Sequence, residues 1–390
     1  MLKQFKFNNL LILNFISYIF KSYLIRYPAP KNIGYFWNFG VLSVFFFFVQ
    51  FISGFFLAMF YTPNIEYAFF SIEYIMNDIH FGWLIRYIHA NGASFFFFVI
   101  YIHLLRGIYY SSYKFPRTNL WLSGLIIYFL LMATAFLGYV LPWGQMSFWA
   151  ATVITNFLTV VPIIGQDLLY WIWGGYSINN ATLNRFFCLH FILPFIIIIL
   201  IIFHIFLLHQ VGSSNELKFS TPTNNKINFF PFFILKDLFS IFIVLFLFNW
   251  IVFFFPELFN HAINYIQSNP IVTPTHIVPE WYFLPFYAIL RSILNKTYGI
   301  IVMFLSMILL FLFSIFDTEY FILQKYNIYN IFFFWYFFFN FIFLGFLGSQ
   351  TAEYPCVEFG LLCSIIHFFF CLIYLPLISS FEKYIFFIKF

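Results

Sequence analysis

Eight separate stretches of this 390-residue chain each hold about twenty mostly apolar residues, the length that carries an α-helix across a hydrocarbon layer about 30 Å thick. They lie near 36–60, 82–110, 120–141, 184–209, 232–255, 297–316, 328–347 and 357–378, separated by segments rich in Pro, Asn, Ser or charge. A backbone in lipid must satisfy its own hydrogen bonds, which leaves helices or closed barrels. Continuous apolar runs of this length select helices. The expected fold is therefore an all-α integral membrane protein with eight transmembrane helices. Composition agrees: 8% charged residues and 63% hydrophobic ones exclude an ordinary soluble domain, which carries roughly 25% charge. No nucleic-acid partner is expected, and membrane lipid is.

An even number of spans puts both termini on one face. Sorted by that alternation, fourteen of the eighteen Lys and Arg fall on the terminal face, and only Arg86, Arg185, Arg291 and Lys296 fall on the other. The positive-inside rule makes the terminal face cytoplasmic or matrix, the negative (N) side. The opposite (P) face collects Glu66, Glu73, Asp78, Asp167, Glu257, Glu280, Glu353 and Glu358, and carries two long connections, 142–183 and 256–296, too apolar for free loops. Lys3 and Lys6 precede an interrupted apolar stretch, so residues 1–35 are expected to lie along the interface. The four cysteines form no C-x-x-C pair and no C-x-x-C-H motif, which suggests neither a disulfide framework nor covalent haem.

Four histidines sit inside this oil: His89 and His103 in the second span, His190 and His204 in the fourth, each pair fourteen residues apart. Fourteen residues advance a helix by about 21 Å and stop about 40° short of four full turns, so each pair shares a face. The two spans run the same way, which sets His89 level with His190 and His103 level with His204. The natural guest of two opposed neutral imidazoles between apolar helices is haem iron. Two protein ligands leave iron no open position and favour electron transfer. Gly40 and Gly54 in the first span, and Gly124 and Gly138 in the third, repeat the fourteen-residue interval and are expected to let flat rings approach the backbone at the same two depths. Arg86, Arg106 and Arg185 stand near the ends of the ligand helices, where they can pair with haem propionates. One intramembrane histidine alone is more often a packing or hydrogen-bonding residue. Eight residues sharing one interval on four consecutive spans are not explained that way.

These residues stand in longer motifs: WNFG at 37–40, RYIHANGASFFF at 86–97, GYVLPWGQMSFWAATVITN at 138–156, RFFCLHFILPF at 185–195 and PEWYFLPFYAILR at 279–291. Along nearly its whole length the chain resembles the mitochondrial cytochrome b family, the haem-carrying core of the cytochrome bc complex, respiratory complex III. The resemblance implies two non-covalent b haems, with His89 and His190 on the low-potential one and His103 and His204 on the high-potential one, in a bundle made by the first four helices. It implies domains at 1–35 (interfacial), 36–210 (di-haem bundle with surface helices at 142–175) and 211–390 (C-terminal four-helix region with the PEWY loop at 256–296). It also implies a Q cycle in the mitochondrial inner membrane, both termini on the matrix side. Ubiquinol is oxidised near the P side and ubiquinone reduced near the N side. The implied partners are a Rieske iron–sulfur protein, a cytochrome c1-type subunit and other complex III subunits, in a homodimeric complex.

Glu280 lies between Pro279 and Trp281, an apolar setting that raises a carboxyl's proton affinity and suits it to accept a quinol proton; the residues alone fit a solvated loop glutamate equally well. By the resemblance Glu280 is the proton acceptor, Tyr287 a hydrogen-bonding group, and Pro279, Trp281, Phe136, Tyr139 and Ala150 pocket walls, while Trp37 belongs to the cofactor surroundings. At the other face His209, Ser213 and Asp237 sit at span ends. A histidine and a carboxylate can bond the two carbonyls of a quinone and deliver protons, and the resemblance places quinone reduction there. Three positions depart from the family pattern: Ala150 stands where Gly is usual, Gln210 where Glu is common and Val278 where Lys precedes PEWY. The rival reading is a polytopic transporter with buried polar residues, which would show discontinuous helices and internal repeats. Neither is found.

Overall fold

A computed structural model describes residue 18 and residues 21–215, 225–316 and 327–389. Among these, eight helices are long and apolar enough to cross a membrane. In chain order the elements are β1 (Pro28–Pro30), α1 (Phe39–Ala58), α2 (Ala68–Asn77), α3 (Gly82–Tyr109), α4 (Thr118–Val140), α5 (Gln145–Thr155), α6 (Gly165–Trp173), α7 (Asn180–Val211), β2 (Lys226–Asn228), α8 (Phe232–Phe254), α9 (Leu284–Arg291), α10 (Lys296–Phe316), α11 (Ile328–Ser349), α12 (Cys356–Phe369) and α13 (Leu375–Lys389). The spans are α1, α3, α4, α7, α8, α10, α11 and the α12–α13 unit, which one π-helical turn at Phe370–Tyr374 makes continuous. Much of the N-terminal segment expected to lie along the interface, with Lys3 and Lys6, is outside the described residues, as are Lys218 and Lys325.

The sequence pattern misjudges some helix ends for a local reason. α7 starts at Asn180, four residues before its apolar run, because Asn179 caps it: its side chain accepts from the backbone N–H of Ala181 (2.8 Å) and Thr182 (3.4 Å), while Thr182 Oγ1 accepts from the Asn179 N–H. Polar side chains fix helix ends that hydropathy cannot see. The 142–175 connection resolves into α5 and α6, whereas α2 and α9 are additional short helices that apolar-run counting passes over. β1 and β2 pair antiparallel, Pro28 opposite Asn228.

α1 lies along α3 and α4 along α7; α8 packs on α1 and α3, and α9 packs among α10, α11 and α12. The core between them is aromatic, with Phe46, Phe248 and Phe313 fully buried. Because lipid tails compete with apolar side chains, helix positions in a membrane depend on close packing and interhelical hydrogen bonds. The bonds here are specific. Trp121 Nε1 donates to the Leu310 carbonyl at 2.9 Å, joining α4 to α10. Asn38 donates to the Lys236 carbonyl at 2.9 Å and to Ser240 Oγ at 2.8 Å, joining the start of α1 to α8. Asn91 on α3 donates to the Pro256 carbonyl at 2.9 Å and so anchors the second long loop beside α3.

Candidate functional site

The four histidines meet as two pairs. The His89 and His190 rings are 6.3 Å apart between centroids and 85° apart in plane, and His103 and His204 are close enough to interact electrostatically. Each ring rests on a glycine of the neighbouring helix. A Cβ on Gly138 would stand 2.4 Å from His190 Cε1, one on Gly54 2.9 Å from His89 Cε1, one on Gly124 3.0 Å from His204 Cε1, and one on Gly40 3.4 Å from His103 Cε1. The flat ring that each of these glycines admits to the backbone in this structure is an imidazole. α1 therefore backs α3, and α4 backs α7, at both depths.

Three of the rings have a fixed tautomer. His190 Nδ1 bonds the Thr134 carbonyl at 2.8 Å, and a carbonyl can only accept. Ser53 Oγ lies 2.9 Å from His89 Nδ1 and gives its own hydrogen to the Val49 carbonyl; Ser123 Oγ lies 2.8 Å from His204 Nδ1 and gives its own to Leu120. Nδ1–H donates in each case, which leaves the Nε2 lone pair free for a metal. His103 differs, because Arg106 Nη2 stands 3.2 Å from its Nδ1 and a guanidinium cannot accept. Arg106 lies 5.6 Å from the Trp37 ring centre, and its buried Nε has no partner.

A cavity of about 460 Å³ opens beside the His89–His190 pair, on the face of the long loops. Its lining includes Gly54, Gly138, Arg86, Tyr139 and Glu280. Burial pushes the Glu280 carboxyl up to about 7 against the opposing pull of the Tyr139 hydroxyl bond and the Arg86 charge. Among the described residues no hydrogen bond of the Arg86 guanidinium is seen, although Glu257, Tyr265, Tyr87 and Glu280 all interact with its charge. The other expected members of this site stand back from the cavity. Tyr287 donates to the Ile277 carbonyl at 3.1 Å with Arg291 over its ring, Trp281 Nε1 donates to Ser94 Oγ, and Phe136 packs on Phe186. Ala150 is buried in α5, and Pro279 does not line the cavity either. Arg185 is turned away: its guanidinium donates to the carbonyls of Trp171 and Ile172 at the end of α6.

At the opposite end of the bundle Tyr27 packs its ring 4.3 Å from that of His209. Arg117 clamps the strap after α7, donating to the carbonyls of Gly212 (3.0 Å) and Ser213 (3.1 Å), and Trp37 Nε1 donates to that of Ser214 at 2.8 Å. Asp237 stands in the second turn of α8 beside Lys236, whose ammonium goes to the Ile33 carbonyl at 2.8 Å.

Comparison with known proteins decides what this scaffold is. Residues 24–212 match the family described as cytochrome b/b6/petB, and residues 267–368 the family cytochrome b (C-terminal)/b6/petD. The cytochrome b of Acanthamoeba castellanii is 50% identical over 368 residues, covering 94% of this chain and 96% of that one. The chain belongs to the cytochrome b family. The cytochrome b of Rhodospirillum rubrum is 48% identical over 361 residues, 92% of this chain and 89% of its own. A solved structure titled hyperthermophilic respiratory complex III superposes with a TM-score of 0.89 at 35% identity, covering 94% of this chain and 97% of that chain. The chain is thus a multi-pass membrane subunit of quinol–cytochrome c oxidoreductase and acts with the other subunits of that complex. Membership in the family implies haem binding and reaction with quinone.

Sequence reasoning passed over Ser53, Ser123 and the carbonyl of Thr134, the partners that set the ring tautomers. A signal for them exists. Gln50, Leu120 and Thr134, whose carbonyls face the Nδ1 of His89, His204 and His190, each stand four residues before the glycine under the same ring. A helix places residues four apart on one side, so Gly54, Gly124 and Gly138 each mark both the seat of a ring and the carbonyl above it, whereas His103 over Gly40 has Arg106 at its Nδ1. His261, Asn264 and Tyr265, also in the cavity wall, lie in a loop with no periodicity to announce them.

Proposed function

We propose that this chain holds two non-covalent b haems, His89 and His190 binding one and His103 and His204 the other, and that it passes electrons between two quinone sites across a mitochondrial inner membrane. The observation that carries the reading is the His89–His190 geometry. The two ring centroids are 6.3 Å apart with Nε2 free on both rings, so the pair would hold one haem iron, for which neutral imidazole is a good ligand. When bound, the haems supply one-electron redox chemistry at two depths.

The protein's share is to seat, charge and proton-couple. Arg86 in the cavity wall and Arg106 with its orphaned Nε offer guanidinium N–H groups to the anionic edges of the two macrocycles. For His103 this has a second effect: Arg106 drawn onto a carboxylate frees Nδ1, and the ring then presents Nε2 as the other three do. On the loop-bearing face, taken as the P side, Glu280 accepts a proton from ubiquinol, a role suited to a carboxyl held at about 7 beside the Tyr139 hydroxyl. Tyr287, Pro279, Trp281, Phe136 and Ala150 shape the surroundings of that pocket. On the other face, taken as the matrix side with both termini, His209, Ser213 and Asp237 bind and protonate ubiquinone. A Rieske iron–sulfur protein and a cytochrome c1-type subunit take the other electron, in a homodimeric complex. By domain, residues 1–35 are interfacial, 36–210 form the di-haem bundle and 211–390 the C-terminal region.

The deciding experiment is a dithionite-reduced minus oxidised absorption spectrum of the purified complex with haem counted per chain. Two b-type bands at two haems per chain support the reading; no haem signal leaves the rival transporter standing.

A further inference from the structure

One carboxylate outside the assigned residues is built into a network. Glu257, just beyond α8 on the loop face, is exposed, yet both its oxygens are engaged. The Tyr87 hydroxyl donates to Oε1 at 2.6 Å, the Tyr265 hydroxyl to Oε2 at 2.7 Å and Asn260 Nδ2 to Oε2 at 3.0 Å. An exposed glutamate gains little from pairing and rarely gathers three donors. Tyr265 and Asn260 also line the cavity that holds Glu280 and Arg86. Tyr265 thus lines the cavity while its hydroxyl, which accepts from Asn260 Nδ2 at 3.3 Å, donates to the outward carboxylate. Nothing assigned so far explains how a proton taken up by the buried Glu280 reaches water.

We propose that Glu257 is the proton-release group of the quinol-oxidising site, reached from the cavity through the Tyr265 hydroxyl. The proposal rests on the quinol-oxidation reading above. In the step, a proton leaves Glu280 through cavity water and adds to the Tyr265 oxygen as that hydroxyl's own hydrogen moves along the existing bond to Glu257 Oε2. Tyr265 ends neutral, as it began; Glu280 recovers its charge, and Glu257 becomes the acid that then protonates external water. No electron moves. Burial works to raise the Glu257 carboxyl, but the Tyr87, Tyr265 and Asn260 bonds and the Arg86 charge outweigh it and hold the group below the usual glutamate range. A group so tuned passes a proton on and does not store it.

The test uses the whole purified complex. Glu257→Gln keeps an acceptor for the tyrosines and cannot carry the proton; Tyr265→Phe removes only the bridging hydroxyl. Each is expected to slow quinol oxidation by about tenfold, less than the roughly 10²–10⁴ of a group in direct contact with the reacting atoms. The solvent isotope effect should rise, with KM for quinol and both haem bands unchanged. The double variant should be no slower than either single one, and a small permeant buffer such as imidazole should restore the rate of Glu257→Gln. Wild-type rate and isotope effect across the pH range, or a rate loss accompanied by altered haem bands or KM and deaf to buffer, overturns the proposal. Absent haem bands in the unsubstituted complex would overturn the functional reading and the relay with it, which keeps the two failures apart.

Discussion

Replacing Gly138 by Ala should expel the haem of the His89–His190 level and leave the other in place. The added Cβ would lie 2.4 Å from His190 Cε1, 2.9 Å from Nδ1 and 3.1 Å from Nε2, about 1 Å inside ordinary van der Waals contact at the nearest atom. The ring cannot retreat freely, because its Nδ1–H is held at 2.8 Å by Thr134, one turn away on the same helix as the new methyl. A 1 Å displacement is about five times the ±0.2 Å that metal ligation tolerates. Moving α4 away instead costs about 1–3 kcal/mol of overpacking. Either route should lower haem affinity at this level by at least about 10–100-fold, the usual penalty for disturbing a ligand's support. The assay is the difference spectrum with haem per chain. Gly138→Ala is expected to keep one b band, while Gly40→Ala, with its Cβ at 3.4 Å from His103, keeps both; Gly54→Ala and Gly124→Ala fall between. Two haems per chain in Gly138→Ala, or loss from Gly40→Ala as severe as from Gly138→Ala, refutes the seating argument.

Other outcomes follow from the same contacts. With Glu280 at about 7, its proton-accepting carboxylate form grows as pH rises through about 6 to 8, so quinol oxidation should climb across that window and level off; Glu280→Gln should flatten the climb and lower the plateau by roughly 10²-fold or more, read from steady-state rates against pH. Arg117→Met removes two charged hydrogen bonds to the strap at Gly212 and Ser213, about 1.5–3 kcal/mol each; it should weaken quinone binding at the His209 end and spare quinol oxidation, measured by inhibitor titration at each site. Asn179→Ala deletes the α7 cap and should cost about 1 kcal/mol, visible as a lower thermal midpoint of the assembled complex.

The spans were legible because lipid leaves a backbone few options, and the α3 run begins and ends within a residue of its apolar stretch. The start of α7 was not, since a polar cap sets it. The histidine pairing could be read from helical arithmetic alone, and the structure brings the four rings together at the two expected depths. The support under the rings was read only in part. Spacing singled out Gly138, but only coordinates show that its neighbour is the His190 ring. Arg185 illustrates the limit: its place near a ligand-helix end fitted a cofactor contact, while the free carbonyls ending α6 claimed it first. Loop residues such as Tyr265 and Glu257 meet across irregular chain, where no period relates sequence distance to space.

The shared fourteen-residue interval makes α1, α3, α4 and α7 behave as a four-armed caliper. One residue inserted between His89 and His103 would swing the second ring by about 100° and lift it about 1.5 Å, off its glycine seat and out of line with His204. The same holds between Gly40 and Gly54, Gly124 and Gly138, and His190 and His204. This chain can lengthen or shorten at its bends outside the bilayer without moving a ring, whereas a residue gained or lost within any of these four intervals has to be compensated by a twist or shift of the helix that carries it.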